Sequence, residues 1–368
     1  MSAVPPVDLR LQHQAIADEV AQGFAAVFDK TAFILGPAVK EFETAYAAFV
    51  GARHCVGVAN GTDALELALR AAGADGEAEV LLPANTFIAT ALAVLRAGAR
   101  PVLVDCDPDF YLLDLEQAAV RVTKKTRFLM PVHLYGQMAP VEKVDALAQA
   151  HGLTVIEDAA QAQGARRHGR AAGTCGLAAG TSFYPGKNLG AYGDAGAVTT
   201  DSDEVATKIR ALRNYGSEVK YHHPELGFNS RLDTLQAVVL NAKLKRLAGW
   251  NDARRAAARR YDELLADLPA VIPPRTLPVN EHVFHLYVVR VPNRDEVVRK
   301  LNADGIGAQI HYPIPIHLQG AFGGLGLGEG SFPVTEKAAR EILSLPMFPE
   351  ITADQQARVA ASLRRALG

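Results

Sequence analysis

The sequence predicts an α/β fold in which a large domain, built on a mostly parallel sheet flanked by helices, precedes a smaller α+β domain. Three observations predict it. From Gly51 to about Thr200, short β-rich runs alternate with helical patterns, which is how strand–helix–strand units read along a chain. The strand runs, such as Leu153-Thr154-Val155-Ile156, are nearly unbroken in apolar residues, as expected when both faces of a sheet are covered. Finally, 368 residues exceed one ordinary domain, since domains run at roughly 100–200 residues each.

Taken in order, residues 54–59 read as a strand leading into a helix over 64–72. Strand 79–82 leads to helix 87–97, strand 101–104 to helix 115–122, and strand 128–132 to helix 141–150. The strand 153–156 runs into a loop. Residues 182–184 and 195–199 are further expected strands, and a helix is expected from about 204 to 213. The stretch 232–265 reads as one long helix, because Leu235, Val238, Val239, Ala242, Leu244 and Leu247 recur at spacings of three and four. A Pro-containing segment, 268–279, ends that pattern. Beyond it, 285–291 and 307–311 read as strands, and 294–304 and 352–367 as helices. The boundary is expected inside the long helix, giving a large domain over 1–245 and a small one over 246–368. The Gly-rich run 320–330 reads as a flexible loop.

Composition excludes several classes. Thirty-eight Lys and Arg against 40 Asp and Glu leave a net charge of −2, with no sustained basic block, so no nucleic-acid partner is expected. No apolar run approaches the roughly 20 residues of a membrane span. The segment from Met1 to Arg10 lacks a basic stretch followed by an apolar one, so no signal peptide is expected and the protein reads as cytoplasmic. Cys55, Cys106 and Cys175 are too few and scattered for a disulfide framework.

Several candidate motifs fail on their chemistry. Gly324-Leu325-Gly326-Leu327-Gly328 has Glu329 where a dinucleotide loop needs its third glycine, and it follows no initial strand–helix unit. Pro185-Gly186-Lys187-Asn188 lacks both the first glycine and the Ser/Thr of a phosphate-binding P-loop. Neither Cys-x-x-Cys nor His-Glu-x-x-His occurs, so no metal is expected.

One constellation survives. Val155-Ile156-Glu157-Asp158 is an apolar strand ending in an acid, and ligands of open α/β sheets sit beyond the carboxyl ends of the strands. Farther on, Ser182-Phe183-Tyr184-Pro185-Gly186-Lys187-Asn188-Leu189-Gly190 is another strand end, opening into a Gly-containing loop with one lysine. An acid and a lysine at neighbouring strand ends fit a pyridoxal phosphate site, with Lys187 as Schiff-base lysine and Asp158 pairing with the pyridinium nitrogen. Asn60-Gly61-Thr62-Asp63-Ala64-Leu65 turns a strand into a helix whose first N–H groups suit a phosphate, and Ser182 can add a hydroxyl. Phe87 can lie against the ring. Singly, each has an ordinary alternative: a helix-capping Asp, a solvated Lys, an N-cap, a core aromatic. Their joint occurrence in this order makes the case.

At these residues the sequence resembles the DegT/DnrJ/EryC1/StrS family, sugar aminotransferases of the aspartate aminotransferase (fold type I) architecture, whose sheet is mostly parallel but mixed. The likeness covers nearly the whole chain. It begins at Phe33-Ile34-Leu35-Gly36-Pro37 and continues through Asn60–Leu65 and Pro131-Val132-His133-Leu134-Tyr135-Gly136-Gln137. It is strongest at Glu157-Asp158-Ala159-Ala160-Gln161 and over 182–196, and reaches Asn229-Ser230-Arg231-Leu232-Asp233 and His311-Tyr312-Pro313. The resemblance implies that Lys187 carries the cofactor and moves the proton, that Asp158 binds the ring nitrogen and Gln161 the ring hydroxyl, and that Gly61, Thr62 and Ser182 hold the phosphate. It implies that Phe87 stacks on the ring and that Asn229 reaches the phosphate of the other subunit, making a homodimer with shared active sites. Gln163 stands where the family often has His, and Cys175 where it is usually apolar.

One branch of the family replaces the lysine with histidine and deoxygenates its sugar; Lys187 points instead to transamination. By similarity, L-glutamate gives its amine to the cofactor, leaving pyridoxamine 5'-phosphate, and a keto-sugar linked to a nucleoside diphosphate then accepts it. The stretch 183–190 with Gly193-Asp194, and Lys220-Tyr221-His222-His223, resemble members acting on 3-keto sugars, so a dTDP-3-keto-6-deoxyhexose is the expected acceptor. A 4-keto sugar is the alternative, and a pyridoxal-phosphate-dependent dehydratase or deoxygenase a further one. Tyr184, Lys220, Tyr221, His311 and His317 are the expected substrate contacts. A non-catalytic regulatory binding protein is the rival from another class; it would be favoured by a basic DNA-binding appendage, and none is visible.

Overall fold

The computed structural model describes residues 3–368; Met1 and Ser2, on which the expectation of no signal peptide partly rests, lie outside the described residues. Three helices that the alternation does not announce come first: α1 (Leu9–Gln14), α2 (Ala17–Lys30) and α3 (Pro37–Val50). Then follow β1 (His54–Val58), α4 (Gly61–Ala71), β2 (Glu79–Pro83), α5 (Ile88–Arg96), β3 (Arg100–Val104), α6 (Leu115–Val120), β4 (Thr126–Leu129), α7 (Val141–His151) and β5 (Thr154–Asp158). A small hairpin, β6 (Arg166–Arg167) and β7 (Arg170–Ala171), precedes β8 (Ala178–Ser182), β9 (Gly196–Thr200) and α8 (Asp203–Leu212).

Seven strands pair in the order β1-β9-β8-β5-β4-β2-β3. Strand β9 runs antiparallel to β1 and β8, whereas the other neighbours are parallel, so the sheet is mixed but mostly parallel, as expected. Helices α4, α5 and α8 bury Leu65, Leu69, Val94 and Ile209 against one face, and α6 and α7 bury Ala118 and Val144 against the other. Covering on both faces is what makes strands such as β2 wholly buried. Because the parallel strands share one direction, the carboxyl ends of β1, β2, β4, β5 and β8 open along a single edge.

The expected strand 182–184 lies earlier, as β8, and 128–132 is likewise shifted to β4. The Ala178-Ala179-Gly180-Thr181-Ser182 composition hides β8 from a propensity reading. Its Gly180 is required by packing, since a Cβ there would lie 2.7 Å from a methyl of Leu65 in α4. The expected long helix breaks at Lys245-Arg246 into α9 (Thr234–Leu244) and α10 (Leu247–Leu265). The halves serve different cores: Ala237 and Leu240 of α9 pack with Phe42 and Phe183, while Ala257, Tyr261 and Leu265 of α10 pack with Tyr287 and Val359. Lys245 and Arg246 both pair with Glu19 of α2, fastening the break.

The C-terminal part contains β10 (Asn280–Glu281), β11 (Tyr287–Arg290), α11 (Arg294–Ala303), α12 (Pro333–Glu341), β12 (Ile342–Leu345) and α13 (Ala353–Leu367). β11 pairs antiparallel with β12, while β10 joins the β6–β7 hairpin. The expected strand 307–311 is reduced to one bridge, Gln309 with Ser344. The Gly-rich run is not a free loop throughout. It starts as a 3-10 turn, Gly320–Leu325, whose Phe322 is buried in the core of the large sheet together with Ile316 and Phe332. Val4 belongs to the C-terminal core and pairs with Ile306. Among the described residues no helix is long and apolar enough to cross a membrane, and the three cysteines are buried and free.

Phe183 is fully buried and meets Phe42 and Tyr46 edge-on at 5.2 and 5.3 Å between ring centroids. Replacing it with alanine should cost about 3–5 kcal/mol, read as a lower urea-denaturation midpoint with unchanged slope.

Candidate active site

Strand β5 delivers Asp158 to the carboxyl edge, where its carboxylate is buried. One oxygen accepts from the backbone N–H of Ala160 at 3.1 Å and the other from the Thr90 hydroxyl at 2.7 Å. Thr90 Oγ1 lies 2.9 Å from Thr86 Oγ1. With the Thr90 proton committed to the carboxylate, Thr86 donates to Thr90, so a hydroxyl relay from the start of α5 ends on Asp158. Burial pushes the Asp158 carboxyl up from its ordinary value, while the Thr90 and Ala160 bonds and the charge of Lys187 pull it back.

An anion cradle lies where α4 begins. Asn60 caps the helix by accepting from the N–H of Asp63 at 2.8 Å, and among the described residues no hydrogen bond engages the N–H groups of Gly61 and Thr62. The backbones press close: a Cβ on Gly61 would lie 2.6 Å from Cβ of Ser182, and one on Gly196 would lie 2.4 Å from the carbonyl carbon of Asn60. Glycine at 61 is thus what lets the end of β8 reach the helix terminus. The Ser182 hydroxyl accepts from Tyr184 N–H at 3.2 Å, leaving its own proton to donate.

Between Ser182 and Gly190 the chain folds into a tight loop. Lys187 N–H donates to Tyr184 O at 2.8 Å, and a Cβ on Gly190 would strike Pro185 O at 2.2 Å. Asn188 donates to Asn251 Oδ1 of α10 at 2.8 Å and to Val283 O at 3.0 Å, which ties the loop to the C-terminal part. The Lys187 ammonium is drawn down from 10.5 to about 8 by burial, against the opposing charge of Asp158. Among the described residues its Nζ makes no hydrogen bond or ion pair.

Gln161 is oriented by Tyr135, whose N–H donates to Oε1 at 2.7 Å; its Nε2 donates to the Tyr312 hydroxyl at 3.0 Å. Tyr135 OH donates to His311 O at 2.6 Å. The half-exposed Phe87 ring packs against Tyr312 at 5.2 Å. His311 bonds Ser344 Oγ at 2.8 Å through Nδ1, and burial together with the charge of Lys187 lowers it to about 4, so it is neutral at physiological pH.

The structure therefore gathers Gly61, Thr62, Phe87, Asp158, Gln161, Ser182 and Lys187 at one edge, with His311 nearby and Tyr184 exposed on the lysine loop. Lys220, Tyr221 and Asn229 lie on the 214–230 loop: Lys220 sits over the exposed Tyr221 ring at 5.0 Å, and Asn229, which bridges Asn214 through its backbone, precedes Ser230, whose hydroxyl donates to Asp63 of α4 at 2.7 Å. His317 corrects the sequence reading. It is buried, bonds Glu336 at 3.0 Å and meets Phe332 edge-on at 4.7 Å. Glu336 also collects the N–H groups of Gly330 and Phe332, so His317 folds the turn before α12. Sequence reasoning missed Thr86, Thr90, Tyr135 and Tyr312. The threonines were detectable as hydroxyls at i and i+4 around an otherwise apolar helix start, whereas Tyr135 and Tyr312 meet through tertiary contact. Among the described residues no cluster of His, Cys, Asp and Glu could hold a metal.

The profile of the DegT/DnrJ/EryC1/StrS aminotransferase family matches residues 14–364. The chain is 45% identical over 361 residues to dTDP-3-amino-3,4,6-trideoxy-alpha-D-glucose transaminase of Streptomyces venezuelae, covering 98% of this chain and 95% of that one. It is 46% identical over 366 residues to UDP-N-acetyl-3-dehydro-alpha-D-glucosamine 3-aminotransferase of Acidithiobacillus ferrooxidans, covering 100% and 98%. The crystal structure of S. venezuelae DesV in complex with a ketimine intermediate superposes with a TM-score of 0.97 at 44% identity, over 99% of this chain and 98% of that one.

The depressed Lys187 pKa has a direct readout. In cofactor-free protein its amine should react with a neutral electrophile along a pH curve centred near 8, not at the 10.5 of an ordinary lysine. Asp158→Asn should move the midpoint lower still, because it removes the charge that favours the ammonium. Peptide mapping after labelling across pH 6–11 checks both.

Proposed function

The chain belongs to the DegT/DnrJ/EryC1/StrS aminotransferase family, and from that premise we propose that it transfers the amino group of L-glutamate to C3 of a nucleoside-diphosphate-linked 3-keto sugar. It is an aminotransferase whose cofactor is pyridoxal 5'-phosphate, with pyridoxamine 5'-phosphate carrying the amine between half-reactions. The carrying observation is the convergence of Asp158 and Lys187 at or just beyond the adjoining ends of β5 and β8, beside the helix start where Gly61 lets Ser182 approach.

The residues present fit the cofactor. Free N–H groups of Gly61 and Thr62 and the Ser182 hydroxyl suit a phosphate. Asp158 would keep the ring nitrogen protonated, Gln161, one amide N–H of which goes to Tyr312, would offer its other to the ring hydroxyl, and Phe87 would cover the ring. When bound, the cofactor supplies the electron sink that lets a proton leave or join the carbon bearing nitrogen. Lys187 carries that proton: with a pKa of about 8, a useful fraction of its amine is neutral near pH 7.5, close to the optimum for a general base. Two amino-acceptor steps through one site give ping-pong kinetics.

Reaction at C3 is supported by the relatives named for 3-amino transfer and by the likeness of Lys220-Tyr221-His222-His223 to members acting on 3-keto sugars. dTDP is the favoured carrier, and Tyr184, Lys220, Tyr221 and His311 are the proposed substrate contacts. We read the enzyme as a homodimer in which Asn229, exposed on its own chain, reaches the partner's phosphate site. Its three buried thiols suit the reducing cytoplasm. In this reading the cofactor domain spans residues 1–245 and the smaller domain 246–368, with Val4 packed into the smaller core and Ile316, Phe322 and Phe332 into the larger one.

Titration with L-glutamate should bleach the lysine–cofactor absorbance and yield 2-oxoglutarate; an unchanged spectrum sinks the donor assignment. Lys187→Ala should lower turnover at least about a hundredfold in a coupled assay. With a mixture of 3-keto and 4-keto nucleotide sugars, NMR of the product should place the new amine on C3, and an amine on C4 would reverse the regiochemistry.

A further inference from the structure

Strand β5 ends in two acids whose side chains point to opposite faces, as neighbours on a strand must. Asp158 faces the site. Glu157 faces away and is fully buried, where a carboxylate is costly unless saturated with donors. It is saturated. One oxygen accepts from the N–H groups of Cys175 at 2.6 Å and Gly176 at 3.0 Å; the other accepts from Gly173 N–H at 3.0 Å and from His133 Nε2 at 2.8 Å. Burial alone would raise the Glu157 carboxyl, but His133 and the backbone donors outweigh it and hold the group below its ordinary value, ionised.

The tautomer of His133 follows from its neighbours. Nδ1 accepts from Ala139 N–H at 3.1 Å, so the proton sits on Nε2 and is donated to Glu157. The same residue grips the other acid through its backbone: His133 N–H donates to Asp158 O at 3.0 Å, and Asp158 N–H donates to Pro131 O at 2.9 Å. In sequence between His133 and Ala139 lies Tyr135, whose N–H orients Gln161. One imidazole thus clamps the segment after β4 onto the end of β5 and fixes both groups that face the cofactor ring.

We propose that His133 is a positioning residue for the reaction, holding Asp158 and Gln161 in place through Glu157 and the strand-end backbone. The proposal rests on the reading of Asp158 as the partner of the ring nitrogen. A buried histidine–carboxylate pair is poor value as a stabilising device, since apolar side chains of similar volume commonly do as well. Its worth lies in geometry, because groups that orient a site must be held by hydrogen-bonded neighbours.

The test measures calorimetric affinity of the cofactor-free enzyme for pyridoxamine 5'-phosphate and for its 1-deaza counterpart, which has C–H in place of the ring nitrogen. The wild type should prefer the natural ligand. His133→Asn keeps an acceptor for Ala139 but cannot reach Glu157. It should lose affinity for both ligands, because either one feels a displaced Gln161, but about tenfold more toward the natural ligand, so the preference collapses. His133→Gln, which can reach Glu157, should restore much of it. Equal losses toward both ligands, or an undiminished preference in His133→Asn, overturn the proposal. If the wild type itself shows no preference, the reading of Asp158 fails instead, and the proposal falls with it. Should His133→Asn not fold, Glu157→Gln takes its place with the same expected collapse, and an undiminished preference there also overturns it.

Discussion

An acid and a lysine share one desolvated space without touching. Burial discourages charge on both Asp158 and Lys187, while each favours charge on the other across a gap that no ion pair closes among the described residues. Much of the surrounding architecture answers to this arrangement. The parallel run from β3 to β8 brings their strand ends to one edge, the Thr86–Thr90 relay keeps the carboxylate supplied with donors, and the tight loop after β8 holds the lysine at a fixed remove. Had the two closed into a direct bridge, each would have spent its reactivity on the other.

The glycines explain how such crowding is possible. Gly61 and Gly196 bring three backbone segments within van der Waals reach, so that a helix terminus, a strand end and a hydroxyl meet at one point. The dense glycine run at 320–330 does none of this; several of its members would accept a Cβ with nothing within 4 Å. Its contribution is the phenylalanine it carries into the core.

The parts of this molecule written in local pattern could be read from the sequence, and those written in tertiary contact could not. The alternation from β1 to β5 was legible because each strand is a covered apolar run. Asp158 and Lys187 were legible because strand ends place chemistry where ligands bind. β8 was displaced in the reading, since alanine and glycine carry little strand signal when helix α4 presses against them. The long helix was read as unbroken because its apolar spacing continues through Lys245-Arg246, although the stripe on either side serves a different core. His317 has the residue type of a ligand contact and the position of a loop, but its bond to Glu336 depends on how a later turn folds back. Thr90, Tyr135 and Tyr312 act through partners far away in the chain, and no window of neighbouring residues could pair them.

The placement of Val4 bears on how the chain is made. Its partner Ile306 and its core neighbours Tyr287 and Val359 are translated some three hundred residues after it. During synthesis the segment around Val4 therefore emerges before the core residues that cover it in the folded structure. That core can close only once residues 287–359 are made, around a segment made well before them. Such long-range closure slows folding and leaves apolar surface uncovered until the later residues of the core are made. Residues made earlier thus complete a core whose other members are made much later, which couples the segment around Val4 to the C-terminal part.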